Sequence, residues 1–156
     1  MIYEEEVDEN SDVNLVCDMV SAKYEMIHKM GRGNYGTVWK AIDKRNRERV
    51  AIKKIRNAFA NKIDAIRTFR EIQIMFEMGR HPNIMAMHTV RIGKNNRDIY
   101  LVFDLLDADL HTVIRAGICT DEQRKFILWQ LARATLYIHS GNLLHRDIKP
   151  ANILIN

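Results

Sequence analysis

Three motifs and one acidic residue in this chain have types and spacings that suit work on a phosphate group. The densest is His145-Arg146-Asp147-Ile148-Lys149-Pro150-Ala151-Asn152. Phosphoryl transfer asks mainly for positioning and charge stabilisation, with little covalent work by the protein. An aspartate can orient an attacking hydroxyl and accept its proton, and an asparagine further along the loop can hold a magnesium ion on the phosphates. Asp147 and Asn152 supply both from one loop. The second motif is Gly31-Arg32-Gly33-Asn34-Tyr35-Gly36-Thr37-Val38. Glycines let a backbone approach phosphate closely and adopt conformations that a Cβ forbids. Alone the run is ambiguous, because dinucleotide-binding folds share it. There the glycines open a helix, whereas here they lie between two strand-like runs, which favours a nucleotide-covering hairpin. The third motif, Val50-Ala51-Ile52-Lys53, puts an ammonium on the next strand, within reach of α- and β-phosphates. A lone strand lysine is often just an exposed edge, so Lys53 needs an acid to hold it. Glu71, beside Ile72 and Met75 on the following helix, is the candidate.

The elements that must position these residues follow from periodicity. Residues 24–30, 37–42 and 49–55 are rich in β-formers and separated by glycine or charged turns. Ile72, Met75, Phe76 and Gly79, with Ile66 and Phe69 earlier, predict a helix over 64–78. Two more strands are expected at 84–92 and 98–103, and a short one at 153–155. Thr120 followed by Gln123 is a capping box opening a helix to about Ser140, with Gly141 placed to end it. That helix is apolar on nearly every face, the pattern of one buried on all sides. Five strands with one inserted helix, then helices, predict an α+β chain: a small sheet-rich lobe followed by the beginning of a helical one.

Composition narrows the classes. With 47% hydrophobic and 28% charged residues the chain reads as soluble and globular. No apolar run approaches the roughly 20 residues that span a bilayer, so no membrane partner is expected. Cys17 and Cys119 are far apart and lack metal-ligand spacing, the usage of a reducing interior. Residues 1–22 carry seven acids and no Lys or Arg, against 24 basic and 13 acidic residues in the remainder. Such a lead reads as a solvated, flexible tail. The basic remainder suits phosphate-bearing ligands. Without an aromatic-interleaved basic platform, no nucleic-acid partner is expected.

In this order and at this density, the motifs resemble the eukaryotic protein kinase family over nearly all of residues 23–156. Lys149 and Pro150 resemble the serine/threonine branch, and the stretch from Tyr100 to His111 resembles the mitogen-activated protein kinases, the atypical extracellular-signal-regulated group most closely. The resemblance implies a protein-kinase-like α+β fold: a five-stranded antiparallel N-lobe sheet with one regulatory helix, then the first helices and catalytic loop of a helical C-lobe. It divides the chain into an acidic lead (1–22), an N-lobe (23–103), and the hinge and beginning of the C-lobe (104–156). It implies ATP and Mg²⁺ as cofactors and protein substrates as partners. An upstream kinase or autophosphorylation would activate the enzyme, in the cytoplasm with the nucleus as a further compartment. Lys149 would steady the γ-phosphate. Phe103 would be the gatekeeper, the backbone of Asp104 and Leu106 would bond adenine, and Asp109 would lie near the ribose. Val38, Ala51 and Leu154 would sandwich the adenine ring. Arg67, Arg70 and Arg146 would receive a phosphothreonine, since guanidinium forks bind phosphate oxygens bidentately. The family's D-F-G segment and activation loop are not in this sequence. The expectation is therefore a truncated kinase, inactive by itself, the alternative being a non-catalytic module that binds nucleotide or partners.

Overall fold

The computed structural model describes residues 18–33, 36–79 and 81–156. It divides into two compact units, one holding residues up to Arg70 with His88–Phe103, the other Glu71–Met87 with Asp104–Asn156.

In the first unit, runs of β-formers give β1 (Tyr24–Gly33), β2 (Gly36–Asp43) and β3 (Arg49–Ile55), paired antiparallel in succession. With β4 (Met87–Ile92) and β5 (Ile99–Asp104) they form a five-stranded sheet in the order β1-β2-β3-β5-β4. Strict alternation gives this sheet two unlike faces. Trp39 lies opposite Ile52 and Ala41 opposite Val50. These four pack with Tyr100, Val102, Tyr24 and Val20 into one core. Val20 belongs to a short helix, α1 (Asp18–Lys23), so residues 18–22, read above as part of a flexible lead, are helical, and Val20 helps to seal the core. The same face buries an ion pair, Lys54 Nζ to Asp98 Oδ2 at 3.1 Å, and Asp98 also accepts from the Asn57 N–H at 3.0 Å.

The long helix α2 (Lys62–Met78) crosses from one unit into the other. Asn61 opens it by accepting from the Asp64 N–H at 2.9 Å. Its buried side centres on Thr68, with Ala65, Ile72 and Met75 half-buried alongside. Ile66, Phe69 and Phe76, counted in the apolar period above, are exposed instead: at the helical pitch Ile66 lies nearly opposite Thr68, and Phe69 and Phe76 about a quarter turn from it.

In the second unit, β6 (Ala108–Asp109) pairs with β7 (Leu154–Ile155), and α3 (Leu110–Ala116) follows directly. α4 (Asp121–Ser140) has the expected capping box, Thr120 and Gln123 each bonding the other's backbone N–H. Its C-terminus is also where expected, at Ser140 with Gly141 as the cap. Gly141 has φ −85° and Asn142 takes the left-handed position at +55°. Gly141 is instead a place of close approach, where a Cβ would lie 2.6 Å from Met78 Cε. Nor is α4 buried on all sides. Only Ala134 is buried, while Phe126, Leu128, Trp129 and Leu136 are exposed. The segment after α2 is fastened to α4 by Asn83 Nδ2 donating to Gln130 Oε1 at 2.6 Å and by His81 stacked on Tyr137.

Candidate active site

The glycine run is the β1–β2 hairpin, with Gly33 paired to Gly36; Asn34 and Tyr35 lie outside the described residues. Its glycines serve different needs. Gly36 has φ +150°, and a Cβ there would overlap the Lys54 backbone carbonyl. Backbone packing alone therefore demands that glycine. Gly31 has no heavy atom within 4 Å of where its Cβ would be. Among the described residues, no packing contact requires it to be glycine. Arg32 is exposed beside it.

Register then sorts the strand residues. Val38 lies opposite Lys53, and Lys40 opposite Ala51, so Val38, Ala51 and Lys53 share the sheet face away from the core. Tyr100 and Val102 belong to the core, so alternation along β5 puts Phe103 on the face opposite it, at 5% exposure. Lys53 and Lys54, indistinguishable by type, point to opposite faces: Lys54 into the buried pair with Asp98, Lys53 to the side bearing Val38 and Ala51. Arg67 and Arg70 are exposed on the first unit's part of α2, Arg67 within 3.5 Å of Asp64.

The second unit carries the loop chemistry. Asp147 Oδ2 accepts from Asn152 Nδ2 at 2.8 Å and lies 3.0 Å from Lys149 Nζ. Asn152 Nδ2 also donates to the Asp147 carbonyl at 2.9 Å. The Lys149 ammonium first, and the Asn152 amide second, hold the Asp147 carboxyl below its ordinary value, so it stands ionised and exposed. The loop's turn is held by His145, whose Nδ1 accepts from the Asp147 N–H at 3.2 Å. Exposed Arg146 sits at φ +62°, a left-handed conformation that non-glycine residues seldom take. A 3-10 turn at Pro150–Asn152 brings Asn152 back beside Asp147. With its NH₂ so engaged, the Asn152 amide oxygen is the group left for a cation. Among the described residues no cluster of three or more His, Cys, Asp or Glu could hold a metal.

Several predicted residues of this unit line one broad, mainly apolar trough: Glu71, Asp104, Leu106, Asn152 and Leu154. The β6–β7 pairing explains part of this, since it sets Asp109 opposite Leu154 and so fixes the chain after the loop beside the chain before α3. The Asp109 carboxylate caps α3, accepting from the Thr112 N–H at 2.8 Å and from its hydroxyl at 2.9 Å. Those bonds, the N–H first, keep its pKa below the usual range. Sequence reasoning missed α3 and the turn-holding role of His145. The helix was signalled by Asp109 before it and Gly117 after it, the latter in the left-handed conformation at φ +65°.

Residues 24–156 match the protein kinase domain family. The chain is 51% identical over 140 residues to mitogen-activated protein kinase 15 of Xenopus laevis, covering 89% of this chain and 24% of that protein. It is 48% identical over 138 residues to mitogen-activated protein kinase 15 of Caenorhabditis elegans, covering 88% and 29%. It is 51% identical over 137 residues to extracellular signal-regulated kinase 2 of Dictyostelium discoideum, covering 88% and 37%. The chain thus spans between about a quarter and two fifths of the length of these curated relatives.

Proposed function

Because this chain belongs to the protein kinase domain family, we propose that the protein transfers the γ-phosphate of ATP to serine and threonine hydroxyls of protein substrates, in the manner of a mitogen-activated protein kinase. One observation carries the reading: an ionised Asp147, exposed and fixed by Lys149 and Asn152 in a single loop. An exposed carboxylate of lowered pKa is a weak base for a free proton. In this role it orients the attacking hydroxyl and receives its proton only as the phosphoryl bond forms. Lys149 contributes positive charge beside Asp147 for the γ-phosphate, and Lys53 contributes it to the α- and β-phosphates. Magnesium, when bound, neutralises charge on the phosphates; Asn152 offers it the amide oxygen. Similarity to mitogen-activated and extracellular signal-regulated kinases supports the mitogen-activated branch. The serine/threonine preference rests on Lys149 and Pro150.

Asp147→Asn in the whole protein tests the assignment. Phosphate transfer to a basic protein substrate is expected to vanish, while ATP affinity, read by calorimetry, stays within about twofold, since no ATP contact is assigned to Asp147. Loss of ATP affinity together with transfer would make Asp147 a structural residue and overturn the role given to it.

A further inference from the structure

At the end of β3 the apolar pattern does not decide which of two lysines faces which way. The run Ile52-Lys53-Lys54-Ile55 reads alike in both directions. Alternation carried forward from Val50 and Ile52, both buried, turns Lys54 towards the core and Lys53 away from it. Alternation carried back from Ile55, also buried, turns Lys53 inward and Lys54 out. A shift of one residue exchanges the faces of a strand, and a single extra residue in a bulge makes that shift. Something other than apolar burial must therefore choose between the two lysines.

We propose that Asp98 is a positioning residue for Lys53: by taking Lys54 into the core, it commits the end of β3 to the register that presents Lys53 on the face of Val38 and Ala51. Lys54 is buried at 9% exposure, its Nζ 3.1 Å from Asp98 Oδ2 and 5.6 Å from the centre of the Tyr100 ring. Asp98 is itself anchored without help from either lysine. Its N–H donates to Asn95 Oδ1 at 3.0 Å, its carbonyl accepts from the Gly93 N–H at 2.7 Å, and its carboxylate accepts from the Asn57 N–H at 3.0 Å. All these residues belong to the first unit. A buried carboxylate fixed in this way needs a cation beside it, and only the lysine turned to the core face can supply one. A buried ion pair adds little net stability over apolar side chains of similar volume, and its best-attested use is to fix register. The catalytic consequence rests on the phosphate role given to Lys53 under the proposed function; the choice of register does not.

Brief acetylation of the whole protein by an amine-selective ester, followed by peptide mass spectrometry, reads the labelling rates of Lys53 and Lys54 separately. In the parent, Lys53 should label at least about tenfold faster, since a buried amine reacts only through local opening. In Asp98→Asn, which keeps the side chain's size and removes its charge, Lys53 should slow as Lys54 quickens, bringing the two within about threefold as the registers mix. Adding Lys54→Met to Asp98→Asn should return Lys53 to its parental rate, because methionine suits the core face and no second lysine competes for the other. Magnesium-ATP affinity, read by calorimetry, should weaken in Asp98→Asn and recover in the double variant. Val20→Ala, in the same core, controls for stability: it should lower the melting temperature by a few degrees and leave the Lys53 rate unchanged. An Asp98→Asn variant that melts lower with Lys53 still labelling at the parental rate would overturn the proposal, making Asp98 a stabilising residue only. So would a double variant in which Lys53 stays slow. Rates that shift and recover while ATP affinity stays constant would uphold the register and overturn instead the phosphate role of Lys53.

Discussion

Lys53 and Lys54 are adjacent, identical in type, and set on opposite faces of β3, so replacing each with methionine separates chemistry from folding. Lys54 is the structural member. Its ammonium lies 3.1 Å from Asp98, with the two side chains 11% and 12% exposed. Taking away one partner of a buried pair costs about 3–5 kcal/mol, because the other charge stays in the interior uncompensated. Asp98 would keep the Asn57 N–H at 3.0 Å, which places Lys54→Met near the low end, about 3 kcal/mol. At roughly 2–4 °C per kcal/mol for a chain of this size, its melting temperature should fall by about 6–12 °C. Lys53 has the opposite profile. It is half-buried on the face with Val38 and Ala51, so Lys53→Met should change stability by no more than about 1 kcal/mol. Losing a positioned cation from the reacting phosphates should lower phosphate transfer by roughly 10²–10³-fold. Differential scanning fluorimetry and a radiolabelled phosphate-transfer assay on both variants read the two axes. The reasoning fails if Lys53→Met melts as low as Lys54→Met. It fails equally if Lys54→Met abolishes transfer with its melting temperature unchanged.

The glycines of the β1–β2 hairpin divide in the same way. Gly36→Ala should cost the fold at least about 1–3 kcal/mol, as its φ is +150° and its Cβ would overlap the Lys54 carbonyl. Gly31→Ala should leave the melting temperature within a degree or two while raising the KM for ATP; equal melting losses in the two would sink the distinction. Acid sensitivity follows from Asp98. Burial works to raise its pKa, but the Asn57 N–H, the Lys54 ammonium and the Asn95 side chain outweigh it and hold the carboxyl below its ordinary value. A depressed folded pKa contributes stability present above the unfolded value of about 3.9 and lost as pH falls through the folded one. Unfolding midpoints measured between about pH 5 and pH 2 should therefore drop less steeply in Asp98→Asn than in the parent chain; parallel curves would show that Asp98 is not coupled to folding.

What could be read in advance was whatever local periodicity or a dense motif specifies. β3 was read with its residue bounds because alternation and a charged turn mark both ends, and the capping box of α4 was legible because Thr120 and Gln123 act within one turn. The kinase motifs were legible because their chemistry fixes residue type at fixed spacing. What failed depended on distant partners. The apolar period of α2 identified a helix and, through Ile72 and Met75, only part of its inward side. Phe69 and Phe76 look like core in sequence, yet the packed side is the one holding Thr68, a residue with no apolar signature. Gly141 was read as the end of α4 and does cap it, but sequence did not show that Asn142 takes the left-handed conformation or that the glycine lies against Met78, a neighbour 63 positions earlier in the chain.

The division at Arg70/Glu71 gives α2 more significance than its motif residues alone suggest. Glu71 lines the same trough as Asp104, Leu106, Asn152 and Leu154, and the chain just beyond it is bound to α4 by the Asn83–Gln130 hydrogen bond and the His81–Tyr137 stack. Arg67, one turn earlier, and Arg70, immediately before it, belong with the sheet. One continuous helix therefore carries the acid assigned to Lys53 in the unit of the catalytic loop and the cations assigned to phosphate in the unit of the sheet. A helix cannot turn or shift one half without the other while its i to i−4 bonds hold.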